Sequence, residues 1–214
     1  MKLQVALDTL TLDECVHLLE EIREDTDIAE VGTPFIIEEG MRPVRELKKR
    51  FPELEILADA KIMDAGEYEA EKCFSAGADI VTVLGAANDA TIEGVVRAAK
   101  RYGKKVMADM IEVSDLEKRA GEIDGLGVDY ICVHTAWDVQ NTGKNPLDDL
   151  ITVNKVLKKA KSAVAGGVKL STAEPIAKEH PYIVVVGGGI IHAQNRKETA
   201  GKIKEILRRE ASCE

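Results

Sequence analysis

Glu55-Ile56-Leu57-Ala58-Asp59-Ala60-Lys61-Ile62-Met63-Asp64 is an apolar run that ends in two carboxylates bracketing one ammonium. Its first part, Glu55–Ala60, reads as a buried strand, and the rest as the loop that leads into a helix. Residues two apart on a strand share a face, so Asp59 and Lys61 point the same way. The plainer reading is a surface ion pair, and such pairs contribute little. The strand end argues for another reading, because parallel sheets, open or closed, carry their chemistry where strands run out.

The same pattern extends outward in both directions. Short aliphatic runs predict further strands at Leu3–Leu7, Ile28–Val31, Ile80–Leu84, Lys105–Met110, Tyr130–His134, Ser162–Ala165 and Ile183–Val186. Amphipathic stretches lie between them. Leu12 to Arg23 sets Cys15, Leu18, Leu19 and Ile22 on one face, with Thr11 as cap and Glu14 completing a capping box. Lys197 to Arg209 forms the last helix, with Ile203 and Leu207 inward. Such repetition gives either a closed barrel or a wide doubly wound sheet. Repeats of roughly 25 to 30 residues favour the compact solution, a (β/α)8 TIM barrel. No linker or change of composition divides the chain, so residues 1–214 read as one domain. Thr135 to Pro146, containing Asn141, Gly143 and Asn145, is the longest irregular stretch, a length that signals a binding loop or lid.

Composition narrows the function. A net charge of -9 argues against nucleic acid and against an anionic membrane surface. It leaves room for a small phosphorylated substrate, since backbone dipoles can hold one phosphate. Cys15, Cys73, Cys132 and Cys213 show no CxxC spacing and read as reduced thiols, as expected of a cytoplasmic protein. No signal peptide and no membrane-length apolar run is found, and the chain enters a strand almost at once.

The strand ends carry the candidate site. Asp8 follows the first strand, Glu30 lies on the second, and Asp59 and Lys61 end the third. Asp109 ends the fifth and His134 the sixth. Alone, Asp8 reads as a helix cap, Asp109 as a poorer cap than Ser114 or Asp115, and His134 as a half-buried histidine. Recurrence at one end of five strands is hard to obtain from capping, and in a barrel these ends converge on one mouth. Crowded carboxylates raise one another's pKa unless a cation intervenes. Lys61 supplies one charge; Glu30 and Asp59, on neighbouring strands, form a hard oxygen pair suited to Mg²⁺ or a similar ion such as Mn²⁺. The absence of HxH, HExxH and cysteine-rich spacing argues against zinc. A Schiff-base role would need a depressed lysine pKa, and the acidic neighbours of Lys61 favour the ammonium instead.

Two glycine clusters complete the mouth. Gly166 and Gly167 follow the seventh strand, and Gly187, Gly188 and Gly189 the eighth. Either alone reads as a tight turn, but loops after strands seven and eight form the usual phosphate site of barrels. Gly166, Gly167, Gly188 and Gly189 are the predicted phosphate-binding positions. A dinucleotide fingerprint is not met.

Four stretches resemble one enzyme family closely: Leu3-Gln4-Val5-Ala6-Leu7-Asp8, Glu30-Val31-Gly32-Thr33-Pro34, Leu57 to Gly66, and Val133-His134-Thr135. They are similar to the 3-hexulose-6-phosphate synthases, a branch of the orotidine 5'-monophosphate decarboxylase suprafamily of (β/α)8 barrels, over about Lys2 to Leu207. The resemblance implies a Mg²⁺-assisted, reversible aldol condensation of formaldehyde with D-ribulose 5-phosphate, giving D-arabino-3-hexulose 6-phosphate. It implies that Glu30 and Asp59 hold the metal and that Asp8, Lys61 and Asp109 bind sugar and enediolate. His134 would transfer the proton, a task that suits an imidazole. It further implies a homodimer in which Asp64 reaches the partner subunit's site. The sibling 3-keto-L-gulonate 6-phosphate decarboxylases carry arginine where Trp137 stands, glutamate for Asp109 and arginine for Gly189, so these departures favour the synthase. The nucleotide decarboxylases need a pyrimidine loop and a phosphate arginine that have no counterpart found here. A non-catalytic α/β ligand-binding regulator, with the acids as caps and a cation site, is the rival of another class; it leaves His134 and the paired glycines without a role.

Overall fold

The computed structural model describes residues 1–142 and 145–212. In chain order come β1 (Lys2–Ala6), α1 (Leu12–Ile22), β2 (Ile28–Val31), α2 (Thr33–Glu39), α3 (Arg42–Arg50), β3 (Glu55–Ile62) and α4 (Gly66–Ser75). There follow β4 (Ile80–Leu84), α5 (Asp89–Tyr102), β5 (Lys105–Asp109), α6 (Leu116–Leu126) and β6 (Tyr130–His134). A 3-10 helix over Trp137–Thr142 precedes α7 (Pro146–Val156), β7 (Lys161–Ala165), α8 (Leu170–Ala177), β8 (Ile183–Val186), α9 (Gly188–Ile191) and α10 (Arg196–Ala211). The strands are parallel and close in sequence order, β8 returning to β1, so the predicted TIM barrel is the fold. Gly143 and Cys213 lie outside the described residues.

Two-residue alternation sorts each strand into a face toward the helices and a face toward the barrel axis. The inward face builds layers from alternate strands. At the amino end, Lys2, Glu55 and Lys105 meet in ion pairs, with Lys161 over the Tyr182 ring. Above lie Ile28, Ile80, Tyr130 and Ile183, then Leu57, Met107 and Ala163, all buried and in mutual contact. Above these the same faces turn polar: Glu30 and Thr82, then Asp59 and Asp109, each under 10% exposed. The apolar layers therefore act as a plug beneath a polar mouth. The outward faces, with Leu3, Val5, Ile56, Val81, Val106, Ile131 and Val184, pack on the helices in a separate core.

The helices are held as their sequences dictate. Thr11 Oγ1 accepts from Glu14 N and Glu14 Oε2 accepts from Thr11 N, closing the predicted capping box. Cys15, Leu18, Leu19 and Ile22 form the buried face of α1. The last helix runs one residue earlier and two later than its periodicity indicates. The irregular stretch after β6 is more ordered than predicted, because the 3-10 helix occupies residues 137–142. Among the described residues no helix is long and apolar enough to cross a membrane. Cys15, Cys73 and Cys132 are free and buried.

Candidate active site at the carboxyl end of the barrel

A cavity of about 880 Å³ opens at the carboxyl ends of the strands, within the range of small-ligand pockets. Asp8, Glu30, Asp59, Lys61, His134, Gly166, Gly167, Gly188 and Gly189 all line it. Asp109 lies beneath His134 and Lys61, 4% exposed, and makes its contacts through them. Asp64 does not join this group: it is exposed, and its carboxylate accepts a hydrogen bond from Ala65 N. A second cavity of about 320 Å³ involves Tyr182, Lys161 and His180 and holds none of the predicted site residues.

Asp8 lies in the loop beyond β1 and does not cap α1, a role Thr11 fills. Its carboxylate rests on Gly32, where an added Cβ would stand 1.8 Å from Asp8 Oδ1, so only glycine fits there. Burial first, and then the Asp59 charge, push the Asp8 carboxyl above its ordinary range, against the opposing pull of Lys61 and His134. Glu30 is pushed well above its own range by burial, then by Asp59 and Asp8. Gln4 Nε2 donates to Glu30 Oε2 at 2.6 Å, while Gln4 Oε1 is buried without a partner among the described residues.

Asp59 is held from three sides. Thr82 Oγ1 donates to Oδ1 and Thr33 Oγ1 to Oδ2, each at 2.8 Å, and the Lys61 ammonium pairs with Oδ2. Lys61 also lies 3.5 Å from Asp109 Oδ2. Burial works against its charge, but Asp59 and Asp109 outweigh it and hold the ammonium above the ordinary lysine range. That agrees with an electrostatic role and disfavours a Schiff base. Lys61 has φ 45°, and β3 shifts register against β4 between Ala58 and Ile62. A non-glycine residue held in that region costs on the order of 1–3 kcal/mol, and such strain collects at functional sites.

His134 Nδ1 lies 3.0 Å from Asp109 Oδ2 and 3.2 Å from Oδ1, and Ile111 N donates to Oδ1 at 3.0 Å. Burial alone would raise the Asp109 carboxyl; the His134 hydrogen bond and the charges of His134 and Lys61 hold it below its ordinary range. An ionised Asp109 only accepts, which assigns the neutral imidazole's proton to Nδ1 and leaves Nε2 as the basic nitrogen. Such an arrangement can serve as a base oriented by a carboxylate, beside a fixed ammonium.

The glycine clusters meet the mouth from the far side. Gly166 and Gly167 have φ of 94° and 69°, and a Cβ on Gly166 would stand 2.2 Å from Thr135 O. Gly188 and Gly189 open α9. Gln4, Thr33 and Thr82 are site residues that the reading of strand ends passed over. For Gln4 and Thr82 the signal is a polar residue at an inward position in an otherwise apolar strand, as in Ile80-Val81-Thr82-Val83-Leu84, whereas Thr33 opens α2 and carries no such mark.

The family described as Orotidine 5'-phosphate decarboxylase / HUMPS matches residues 1–203. A protein of Bacillus subtilis (strain 168) named 3-hexulose-6-phosphate synthase is 52% identical over 207 residues, 97% of this chain and 99% of its own. The crystal structure of 3-hexulose-6-phosphate synthase from Salmonella typhimurium superposes with a TM-score of 0.96 at 47% identity, covering 98% of this chain and 100% of that one. KGPDC from Streptococcus mutans has a TM-score of 0.89 at 23% identity, covering 97% of each chain, and shares the fold.

Proposed function

Since the chain belongs to the orotidine 5'-phosphate decarboxylase / HUMPS family, we propose that it is an aldehyde-lyase of the 3-hexulose-6-phosphate synthase type. It joins formaldehyde to D-ribulose 5-phosphate, reversibly, and forms D-arabino-3-hexulose 6-phosphate. The observation that carries the reading is end-to-end likeness to enzymes of that name, 52% identical over 97% of this chain. Those relatives leave the non-catalytic regulator without support.

Glu30 and Asp59 would hold Mg²⁺ or Mn²⁺. The donor set fits: two buried carboxylates on neighbouring strands, one of them disfavoured as an anion by burial and then by the other's charge, call for added positive charge. Among the described residues no three potential ligands cluster, and a hard ion of this kind needs only one or two carboxylates beside its waters. Bound there, it would supply Lewis-acid stabilisation of the negative charge that develops on the substrate.

The chain's own groups perform the rest. Gly166, Gly167, Gly188 and Gly189 receive the phosphate with main-chain N–H groups. His134 Nε2 takes a proton from C1 of the bound sugar, and Asp109 stabilises the imidazolium. The Lys61 ammonium steadies the oxyanion of the resulting enediolate, and Asp8 accepts from sugar hydroxyls. C1 then bonds to the formaldehyde carbon, and His134 returns its proton to the formaldehyde oxygen. Met63 and Tyr68, beside Asp64 in sequence, and Ile37 on α2 are large apolar side chains left 51%, 62% and 80% exposed. They support a homodimer in which Asp64 completes the partner's site. Its setting is the cytoplasm, where thiols stay reduced.

The test is formaldehyde consumption with ribulose 5-phosphate, in Mg²⁺ and in EDTA. Consumption that needs the metal and disappears in His134→Ala and Asp59→Ala is expected. Release of CO₂ from 3-keto-L-gulonate 6-phosphate without formaldehyde consumption would overturn the reading in favour of the sibling decarboxylase.

A further inference from the structure

β3 and β4 do not run in regular register at the site. Ala58 pairs with Val81 and Ile62 with Val83, so β3 spends four steps where β4 spends two. In a regular strand Lys61 would rise nearly 7 Å, roughly one layer, above Asp59. The bulge instead brings the two side chains into one ion pair beside Asp109. Lys61 takes the strain, at φ 45°.

The residue opposite the bulge is Thr82, 3% exposed on the inward face of β4. Its hydroxyl is used twice. Lys61 N donates to Thr82 Oγ1 at 2.9 Å, and Oγ1 donates to Asp59 Oδ1 at 2.8 Å. The side chain thus replaces a β4 carbonyl as partner of the strained amide and passes its own proton to the carboxylate that the same bulge presents. We propose that Thr82 is a positioning residue of the aldol reaction, its one hydroxyl fixing the Asp59 carboxylate and the Lys61 main chain in a single geometry. This rests on the synthase reading for its kinetic consequence, though not for its structural one.

The rival account makes Thr82 a β-branched space-filler, with the bulge held by the strand pairs on either side. Valine has nearly the same shape and no hydroxyl, so it separates the two. In Thr82→Val the Lys61 amide and Asp59 Oδ1 lose their common partner in a buried setting. Lys61 is then free to leave the left-handed region, and its ammonium shifts relative to Asp109. Displacements of about 1 Å at a catalytic group cost on the order of 100-fold.

The experiment compares wild type, Thr82→Ser and Thr82→Val by steady-state kinetics with ribulose 5-phosphate and formaldehyde, and by amide hydrogen exchange at Lys61. Thr82→Val should lose about 100-fold in kcat with KM for the sugar phosphate within threefold, because the phosphate cradle lies on other strands. Thr82→Ser should recover kcat to within about fivefold, since it restores the hydroxyl. Lys61 amide protection should fall in the valine variant and return in the serine one. Unchanged kcat and protection in Thr82→Val would overturn the proposal, as would a serine variant as impaired as the valine. Should the valine variant not fold, Thr82→Cys takes its place against Thr82→Ser under the same criteria. If the wild type shows no turnover, the synthase reading falls while the exchange measurement still decides whether Thr82 holds Lys61.

Discussion

Replacing Glu30 by glutamine should stabilise the protein at neutral pH in the presence of a chelator, and remove the part of its pH dependence that Glu30 contributes there. Glu30 is 8% exposed, and burial, Asp59 and Asp8 together lift its carboxyl well above the ordinary value near 4.5. Between that value and the lifted one, the folded chain keeps a proton that the unfolded chain has released. Stability then falls as pH rises, the reverse of a carboxylate held down by an ion pair. One proton of difference corresponds to about 1.4 kcal/mol per pH unit. Asp8, also raised, steepens the fall where its window overlaps. Asp109 is lowered, so its contribution is lost only in acid, as pH falls through its folded value below 3.8, and does not act in this range. Glutamine stays neutral and keeps an oxygen for the Gln4 amide, so the variant lacks the Glu30 slope.

Urea unfolding of wild type and Glu30→Gln from pH 5 to pH 8, in EDTA, measures this directly. The gap between the two should widen by about 1.4 kcal/mol for each pH unit inside the window. Adding Mg²⁺ at pH 8 should then close it, since a ligand at 100 times its Kd stabilises by about 2.7 kcal/mol and the variant has lost a carboxylate ligand. Parallel curves from pH 5 to pH 8 would refute the reasoning, because Glu30 would then titrate alike in the folded and unfolded chain.

Gly166→Ala should lower stability by about 2–3 kcal/mol, seen as a Tm drop of roughly 5–10 °C. The cause is a φ of 94° and a Cβ placed 2.2 Å from Thr135 O, and the KM for the sugar phosphate should rise with it. Mixing inactive Asp64→Ala with inactive His134→Ala should restore about a quarter of wild-type turnover. Random exchange of subunits puts half the dimers in hybrid form, each with one complete site, so recovery in the formaldehyde assay checks that sites are shared.

How far the sequence could be read depended on what bounded each strand. Ile28–Val31, Ile80–Leu84, Tyr130–His134 and Ile183–Val186 appear in the structure with the limits that their apolar runs suggest. Asp27, Asp79 and Asp129 stop three of these runs at their amino ends. The same side chains accept from Leu3 N, Ile56 N and Val106 N of the preceding odd strand, so each aspartate marks a real boundary. The odd strands drift by one or two residues. β1 and β7 start a residue early because Lys2 and Lys161 belong to the charged amino-end face, where a lysine can be a strand residue and still reach water. β3 runs on to Ile62 because its bulge keeps Lys61 paired through a side chain, which hydrophobic alternation does not register.

The charged members of the site were legible because they continue the inward face of their strands. Ala6 leads to Asp8, Leu57 to Asp59, Met107 to Asp109 and Cys132 to His134, each two residues on. Threonine gives no such warning, since a β-branched residue is expected in any strand. What distinguishes Thr82 and Gln4 is their level: both face inward, one layer below the carboxylate they bind, with the apolar plug packed beneath them. A polar side chain at that depth must find a partner on an adjacent strand. On the neighbouring strands Gln4 finds Glu30, and Thr82 finds Asp59 and the Lys61 amide. Closing the barrel therefore does more than gather the strand ends. It turns uncharged mid-strand residues into the supports of the charged ones, so the geometry of the mouth is set by the layer beneath it.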